Sequence, residues 1–342
     1  MMTAANLHPA PAGLWTLALR RLRADRVAMA ALAVVALFLA LLVLSGTGLV
    51  AAGWEKEVAV TYAPPSFIGA DTPMGEGAGA ARSGPPPANA FDPLAGDIAA
   101  IIDAQGEAIT APPPPRLATL PFGADKWGHD VLLKTIKGGE TSIVVGLAAA
   151  FIAVALGTLF GALSGYFGGV VDDLFNWFYS VFTSIPSILM ILAVAAVLQH
   201  KGVATIVLIL GLTGWTGPYR LIRAEYMKHK GREYVLAADA IGASHWRKMF
   251  SHIFPNVSHV ALVQLSILAV GFIKAEVILS FLGFGVPVGV VSWGSMLNEA
   301  QNELILGKWW QLSAAASAMA LLVTAFSLFT DALRDALDPK LK

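Results

Sequence analysis

REYVLAADAIGASHWRKMFSHIFPN, residues 232–256, is a polar interruption between two strongly apolar blocks. Tyr234, Ala237, Ala238 and Ile241 are spaced i, i+3, i+4, i+7, which makes one apolar stripe on a helix. Gly242 then supplies the residue type that ends a helix in the left-handed conformation without steric cost. Ser244 is a good N-cap for a second helix, and Trp246, Met249, Phe250 and Ile253 repeat the apolar spacing. Pro255 is expected to stop that helix before the next apolar block. The stretch therefore encodes two short amphipathic helices joined at a glycine bend, with basic polar faces from Arg232, Arg247 and Lys248. Periodicity alone leaves two readings open. The pair lies on anionic lipid headgroups, or it is a docking surface.

The flanking blocks set the class. The chain of 342 residues is 56% hydrophobic and 13% charged, where a soluble domain averages about 25% charged. Net charge is zero, which gives no electrostatic case for nucleic acid. Cysteine is absent, so disulfides, cysteine-ligated zinc and thiol chemistry are excluded.

Six apolar runs approach the roughly 20 residues that cross a hydrocarbon core. The first, Val27 to Leu44, follows Arg20, Arg21, Arg23 and Arg26. A signal peptide shares that charged start. The length of the run, the depth of the charged region and the later spans favour an uncleaved anchor. The second covers Ser142 to Phe167, with Gly146, Gly157, Gly161, Ala162 and Gly165 close to one face, as close helix packing requires. The third lies within Val171 to Leu198, amphipathic at first and apolar after Pro186, where a kink or helix start near Ser184 is expected. The fourth runs from Val203 to Leu221, the fifth from Val257 to Phe284 and the sixth from Trp309 to Phe329. With both termini inside, Lys and Arg concentrate on the cytoplasmic side, including the 232–256 stretch. Lys126, Lys134 and Lys137 fall outside, after a long loop, where the charge rule is weak.

Residues 46–120 hold 11 Pro and 10 Gly, and eight acidic against three basic residues give a net charge of −5. Flexible or polyproline-like structure is the default for that composition. Only Ile98 to Thr110 alternates enough to suggest a small hairpin.

Two features invite a sharper chemistry. Lys274 and Glu276 sit inside the fifth span, about 200° apart on a helix, and intramembrane charges are functional candidates. Lys274 reads best as snorkelling or paired with an acid of a partner subunit. His245, His252 and His259 are seven apart, but Pro255 should break the helix that would align them, and no H-E-x-x-H is present. The chain also has no G-x-x-x-x-G-K-[ST] loop, so it cannot hydrolyse ATP by that route.

The 232–256 stretch resembles the EAA loop of ABC importer permeases, whose motif reads E-A-A, three residues, G, nine residues, I-x-L-P. Ala237, Ala238, Gly242 and Pro255 fall on that spacing, while Leu236 replaces the Glu, His252 the Ile and Phe254 the Leu. The departures match the branch that imports dipeptides, oligopeptides and nickel, whose loops resemble REYVxAAxxxGASxWRxxFxHILPN. PFGADKWGHDVL (121–132), GYFGGVVDD (165–173), AEVILSFLGFGVP (275–287), SWGSML (292–297) and RDALDPKLK (334–342) resemble the same branch and its C-type subunit. Residues 46–120 lie outside the resemblance, and residues 288–291 lack the proline-rich stretch expected before SWG.

The resemblance implies an all-α polytopic membrane protein of the type I importer permease fold, with six transmembrane helices and a two-helix coupling loop. The expected organisation is a cytoplasmic N-terminus (1–26), a first transmembrane helix (27–45), a periplasmic insert and lead-in (46–140) and a five-helix permease domain (141–342) with its coupling loop at 225–256. It implies that Glu233, Tyr234, Ala237, Ala238, Gly242, Ala243, Ser244, Trp246, Arg247 and Pro255 couple the chain to a cytoplasmic ATPase. Glu276 falls on the family's A-E pattern and is a candidate pathway residue. The implied partners are a B-type permease, ABC ATPase subunits, a periplasmic solute-binding protein and lipid, with the chain in a bacterial inner membrane and no cofactor or metal. The rival readings are a passive channel or scaffold, and a membrane-embedded enzyme.

Overall fold

The computed structural model of the chain describes residues 14–69, 116–198 and 202–337. It forms two compact units, one built from residues up to Trp54 and from Leu132 onward, the other from Glu55–Val131.

The elements of the larger unit are all helices, joined by turns. Helix α1 (Leu14–Ala24) meets α2 (Arg26–Gly46) at Asp25, whose carboxylate accepts the N–H groups of Val27 at 2.8 Å and Ala28 at 3.1 Å. That cap satisfies donors the first turn would otherwise leave open. Helix α3 (Val131–Phe167) is the second expected span, but it begins at Val131 rather than Ser142. Helices α4 (Gly169–Thr183) and α5 (Ser187–Leu198) are bent by 84° at the break before Pro186, where a kink was expected. Helices α6 (Val203–Thr213) and α7 (Thr216–Lys230) follow. Next come α8 (Glu233–Ala240), α9 (His245–Arg247), a π-helical turn (Lys248–Ile253), α10 (Phe254–Phe281), α11 (Trp293–Ile305) and α12 (Trp310–Leu337).

By length and composition α2, α3, the continuous run His245–Phe281 and α12 can each cross a membrane, and α4 with α5 makes a fifth if the bent pair is one span. The expected fourth span, Val203 to Leu221, is divided. Helix α6 has 11 residues, about 16 Å at 1.5 Å per residue, against a hydrocarbon core of about 30 Å. The break falls at Gly214, where a Cβ would lie 2.3 Å from Cζ of Phe272. Close approach of α10 therefore leaves no room for a side chain at this break.

Helix α3 is the packing centre. A Cβ on Gly146 would lie 2.4 Å from Ile273, and on Gly157, Gly161 and Gly165 within 2.5–2.8 Å of backbone oxygens of Trp215, Tyr219 and Arg223. The small-residue stripe is thus the seat of α7 and α10, as the sequence indicated. Between these helices the Arg223 guanidinium donates to both oxygens of Asp172, each at 2.6 Å. Ser164 joins the same carboxylate and also contacts the Tyr219 hydroxyl at 3.0 Å. One bidentate pair therefore ties α3, α4 and α7.

The two ends of the bundle differ. At one, Leu22 of α1, Ala28 of α2, Val263 of α10 and Ala336 and Leu337 of α12 share an apolar cluster. At the other, Lys134 at the start of α3 is buried, with its ammonium 2.7 Å from Glu299 of α11 and 3.3 Å from Gln311 of α12. A buried ammonium is tolerated only with such partners.

The smaller unit corrects the expectation that the whole 46–120 segment lacks fixed structure. Residues 55–69 and 116–131 hold each other through Val60 N–H to Leu117 O at 3.0 Å, Ser66 N–H to Leu120 O at 2.8 Å and Ala124 N–H to Ala63 O at 2.8 Å. Ala59, Ala63, Leu120 and Ala124 form its core. Its stability comes from backbone pairing around alanines, which hydrophobic periodicity does not report. Gly128 has φ +82°, and a Cβ there would lie 2.1 Å from the Ala59 carbonyl, so only glycine fits. The expected hairpin at Ile98 to Thr110 lies outside the described residues.

This neck makes the intervening sequence replaceable. Exchanging residues 72–90 for a short Gly-Ser linker should leave the pairing of residues 55–69 with 116–131 intact. The measurement is the yield of monodisperse protein and its thermal stability against the parent. A clear loss of either would show instead that the replaced segment is needed to hold the unit together.

Candidate functional site: an exposed apolar surface on a stapled loop

The 232–256 stretch folds locally as its residues dictate. Helix α8 ends in a complete Schellman arrangement. Gly242 N–H bonds to Asp239 O at 2.9 Å and Ala243 N–H to Ala238 O at 3.0 Å. Gly242 has φ +79° and nothing within 4 Å of a built Cβ, so the backbone conformation and not space demands glycine. Ser244 caps α9 by accepting the Arg247 N–H at 3.4 Å.

Two expectations are corrected here. Pro255 does not stop the second helix. It occupies the first turn of α10, and α9, the π turn and α10 form one helical run. The π register lets Phe254 N–H reach Met249 O, and the Asn256 side chain satisfies the His252 carbonyl at 2.8 Å. A wide turn accommodates a residue that lacks an N–H. Lys248 is not on the open basic face either. It is 6% exposed and ion-paired with Asp239 across the bend. The ammonium holds the Asp239 carboxyl below the usual carboxylate range.

The apolar residues divide between two faces. Val235, Met249, Ile253 and Val257 are buried against Ala162 and Tyr166 of α3 and Ile222 and Tyr226 of α7. The Tyr226 hydroxyl donates to Met249 O at 3.1 Å, and the Tyr166 hydroxyl lies 2.9 Å from His245 Nδ1. Tyr234 meets His229 at 2.8 Å, and partial burial pushes the His229 imidazole down and the Tyr234 phenol up from their ordinary values. These contacts fix the loop to the bundle.

The other face is open. Leu236 is 56%, Ile241 84%, Trp246 59% and Phe250 40% exposed, with the Trp246 and Phe250 rings stacked at 5.6 Å. The exposed apolar patch is rimmed by exposed Glu233, Tyr234, Ala237, Ser244 and Arg247. Of the residues expected to form the coupling surface, Ala238 alone is buried, and Ala243 is half-buried. Leu236, Ile241 and Phe250 belong to the patch and were absent from that set. Their apolarity was visible, but an eight-residue helix with apolar residues on most sides does not reveal which face is buried.

The histidines at 245, 252 and 259 share one continuous helical run after all, yet among the described residues no group of three His, Cys, Asp or Glu side chains is placed to hold a metal. Glu276 is fully buried in α10.

A glycine-seated bundle of membrane-crossing helices that carries an exposed apolar loop is a polytopic membrane protein with a surface for a partner. The family described as binding-protein-dependent transport system inner membrane component matches residues 157–342, and the chain belongs to it. It is a permease subunit of an ABC importer. Among similar proteins, the dipeptide transport system permease protein DppC of Bacillus subtilis (strain 168) is 36% identical over 221 residues, which is 65% of this chain and 69% of that one. The oligopeptide transport system permease protein OppC of the same organism is 36% identical, covering 65% of this chain and 72% of that one. OppC of Haemophilus influenzae is 36% identical over 64% of this chain and 70% of that one. A crystal structure of an amino acid ABC transporter with histidines has a TM-score of 0.44 at 16% identity, over 58% of this chain and 91% of that chain.

Proposed function

We propose that the chain forms half of the membrane pathway of an ATP-driven importer of dipeptides, oligopeptides or similar solutes, and that the 232–256 loop is where a cytoplasmic ATPase docks. The observation that carries the docking is the exposed Leu236, Ile241, Trp246 and Phe250 patch on a loop otherwise pinned to the bundle. Against a pair lying on anionic headgroups, Lys248 is buried and neutralised by Asp239, which leaves Arg232, beside exposed Glu233, and Arg247 as the exposed cations of the stretch. The cargo class follows the named relatives, which are dipeptide and oligopeptide permeases.

The remaining partners are a B-type permease completing the pathway and a periplasmic solute-binding protein delivering cargo. The chain lies in the bacterial inner membrane with both termini and the loop inside. Supporting this, Leu22, Val263 and Leu337 gather at one end of the bundle, and Lys134 with α11 at the other. In this reading α6 and the start of α7 cross as one broken span, and α4 with α5 as another, which makes six crossings.

Co-purification of the chain with its ATPase, followed by peptide-stimulated ATP hydrolysis, tests the function. Trp246→Ala with Phe250→Ala should weaken ATPase retention by at least tenfold, since aromatic anchors dominate such interfaces. Full retention by that double variant would remove the docking role. Orientation has its own readout. The chain has no cysteine, so a single cysteine at Ser244 should react only after the membrane is opened. Reaction with an impermeant reagent in intact cells would invert the topology.

A further inference from the structure

Helix α10 keeps one face uncovered. Ala269, Phe272 and Leu279 turn into a core cluster shared with α3 and α6, and Ile273 and Val277 into one shared with α11 and α12. Between 267 and 281 the exposed residues are Ile267, Lys274, Ile278 and Phe281. Gly271 completes a spacing of four, three, four and three, so all five lie on one side of the helix, along about 21 Å. Nothing lies within 4 Å of a Cβ built on Gly271. Gly146 and Gly214 are the opposite case, because Ile273 and Phe272 of α10 fill the space in front of them.

Lys274 stands at the middle of this stripe. Among the described residues no hydrogen bond or ion pair holds its ammonium. Lys134, by contrast, has Glu299 at 2.7 Å and Gln311 at 3.3 Å. An unpaired cation on the surface of a membrane-crossing helix is costly against lipid tails. Snorkelling does not remove that cost. Phe281, where α10 ends, is about 10 Å further along the axis. Helical side chains lean toward the helix N-terminus, so the Lys274 stem sets off away from that nearer end and toward the middle of the span.

The neighbours of Lys274 on the stripe define what covers it. A water-filled passage would set polar side chains beside the cation. Here Ile267, Ile278 and Phe281 are apolar, and Gly271 lets another helix backbone come close. The occupant that fits is a helix, apolar along the contact, with one carboxylate opposite Lys274. A second copy of this chain does not fit. Two copies packed by this face about a twofold axis along the membrane normal would bring Lys274 against Lys274.

We infer that the 267–281 face of α10 is the seam with the B-type permease partner: a partner helix packs its backbone over Gly271 and presents an Asp or Glu side chain to Lys274. The presence of that partner rests on the permease reading above. The unpaired cation and the unfilled glycine are properties of this chain alone, and the two are measured separately.

The test uses the full chain, affinity-tagged and co-expressed with the B-type permease of its own importer. With p-benzoylphenylalanine in place of Ile278, irradiation should join the chain to a B-type helix that carries an Asp or Glu. Lys274→Glu should lower the B-type permease retained on the tag by about tenfold or more, as expected when like charges meet in a contact. Replacing the acid of the cross-linked helix by Lys should restore retention. Gly271→Leu should give the same loss, while the yield and thermal stability of the chain purified alone stay at the parent's values, since this chain leaves that position open. It carries the test if Lys274→Glu does not reach the membrane. Full retention by both variants overturns the inference and leaves the permease reading standing. Cross-linking to lipid alone, to a second copy of this chain or to an added labelled tripeptide overturns it too, the last placing the stripe in the pathway. A parent chain that retains neither a B-type permease nor an ATPase overturns the permease reading, and this inference with it.

Discussion

Gly242→Val should leave the chain in the membrane at normal yield and reduce uptake by at least tenfold. The residue has φ +79°, and a β-branched side chain there is strained by roughly 1–3 kcal/mol. Space is not the obstacle, because nothing lies within 4 Å of a Cβ at this position. Relief of the strain requires α8 to swing away from α9, which breaks the Gly242–Asp239 and Ala243–Ala238 bonds. It also separates Leu236 and Ile241 from Trp246 and Phe250, so the two halves of the patch no longer form one surface. Peptide-stimulated ATP hydrolysis in the purified complex is the direct measurement. A normal stimulated rate together with normal uptake would mean that this bend does not couple anything.

Gly161→Leu should act earlier, on assembly itself. A Cβ at Gly161 meets the Tyr219 carbonyl at 2.8 Å and the Arg223 backbone nitrogen at 3.0 Å, both rigid parts of α7. Overpacking a tight contact costs about 1–3 kcal/mol when neighbours can yield, and more when they cannot. Moving α7 also strains the Arg223–Asp172 pair, which leaves charge unpaired in a poorly solvated place. The expected result is a loss of most monodisperse protein on size-exclusion chromatography and a clear drop in thermal stability. Gly217→Ala is the control, since a Cβ there meets only Oε1 of Gln264, at 3.8 Å. A Gly161→Leu protein as stable as that control would show that α3 and α7 do not need their close approach.

Much of this architecture is legible in the residues. The glycine face of α3, the break before Pro186, the bend at Gly242 and the Ser244 cap all follow from single-residue stereochemistry, and all appear. What is not legible depends on partners distant in sequence. The packing of Phe272 against Gly214 at the end of α6 joins residues 58 apart in sequence, and no local signal carries that. Lys248 is removed from the basic face by Asp239, nine residues back across a bend. Helix α11 starts at a Ser292–Ser295 capping box, a local start signal that hydropathy, which picks out only the long apolar runs, does not report. The stripe of Tyr234, Ala237, Ala238 and Ile241 illustrates the limit for the candidate site. Its periodicity predicted a helix correctly, but the inward residues are Val235 and Ala238, and Ile241 points to solvent.

The uninterrupted passage from α9 through the π turn into α10 has a mechanical consequence. His245–Phe281 is one run of 37 residues, about 55 Å long at 1.5 Å per residue. Trp246 lies near one tip of this beam and Ser280 near the other. A tilt of about 5° around one tip displaces the other by about 5 Å, roughly one helical turn. Its closest contacts with α3 and α6 are at Ile273 and Phe272, against Gly146 and Gly214, so most of its length lies on the loop side of them. The loop end is itself packed on Ala162 and Tyr166 of α3 and on Ile222 and Tyr226 of α7. A tilt of the beam would therefore carry α3 and α7 with it, and a push on Trp246 and Phe250 would be felt by three helices rather than one.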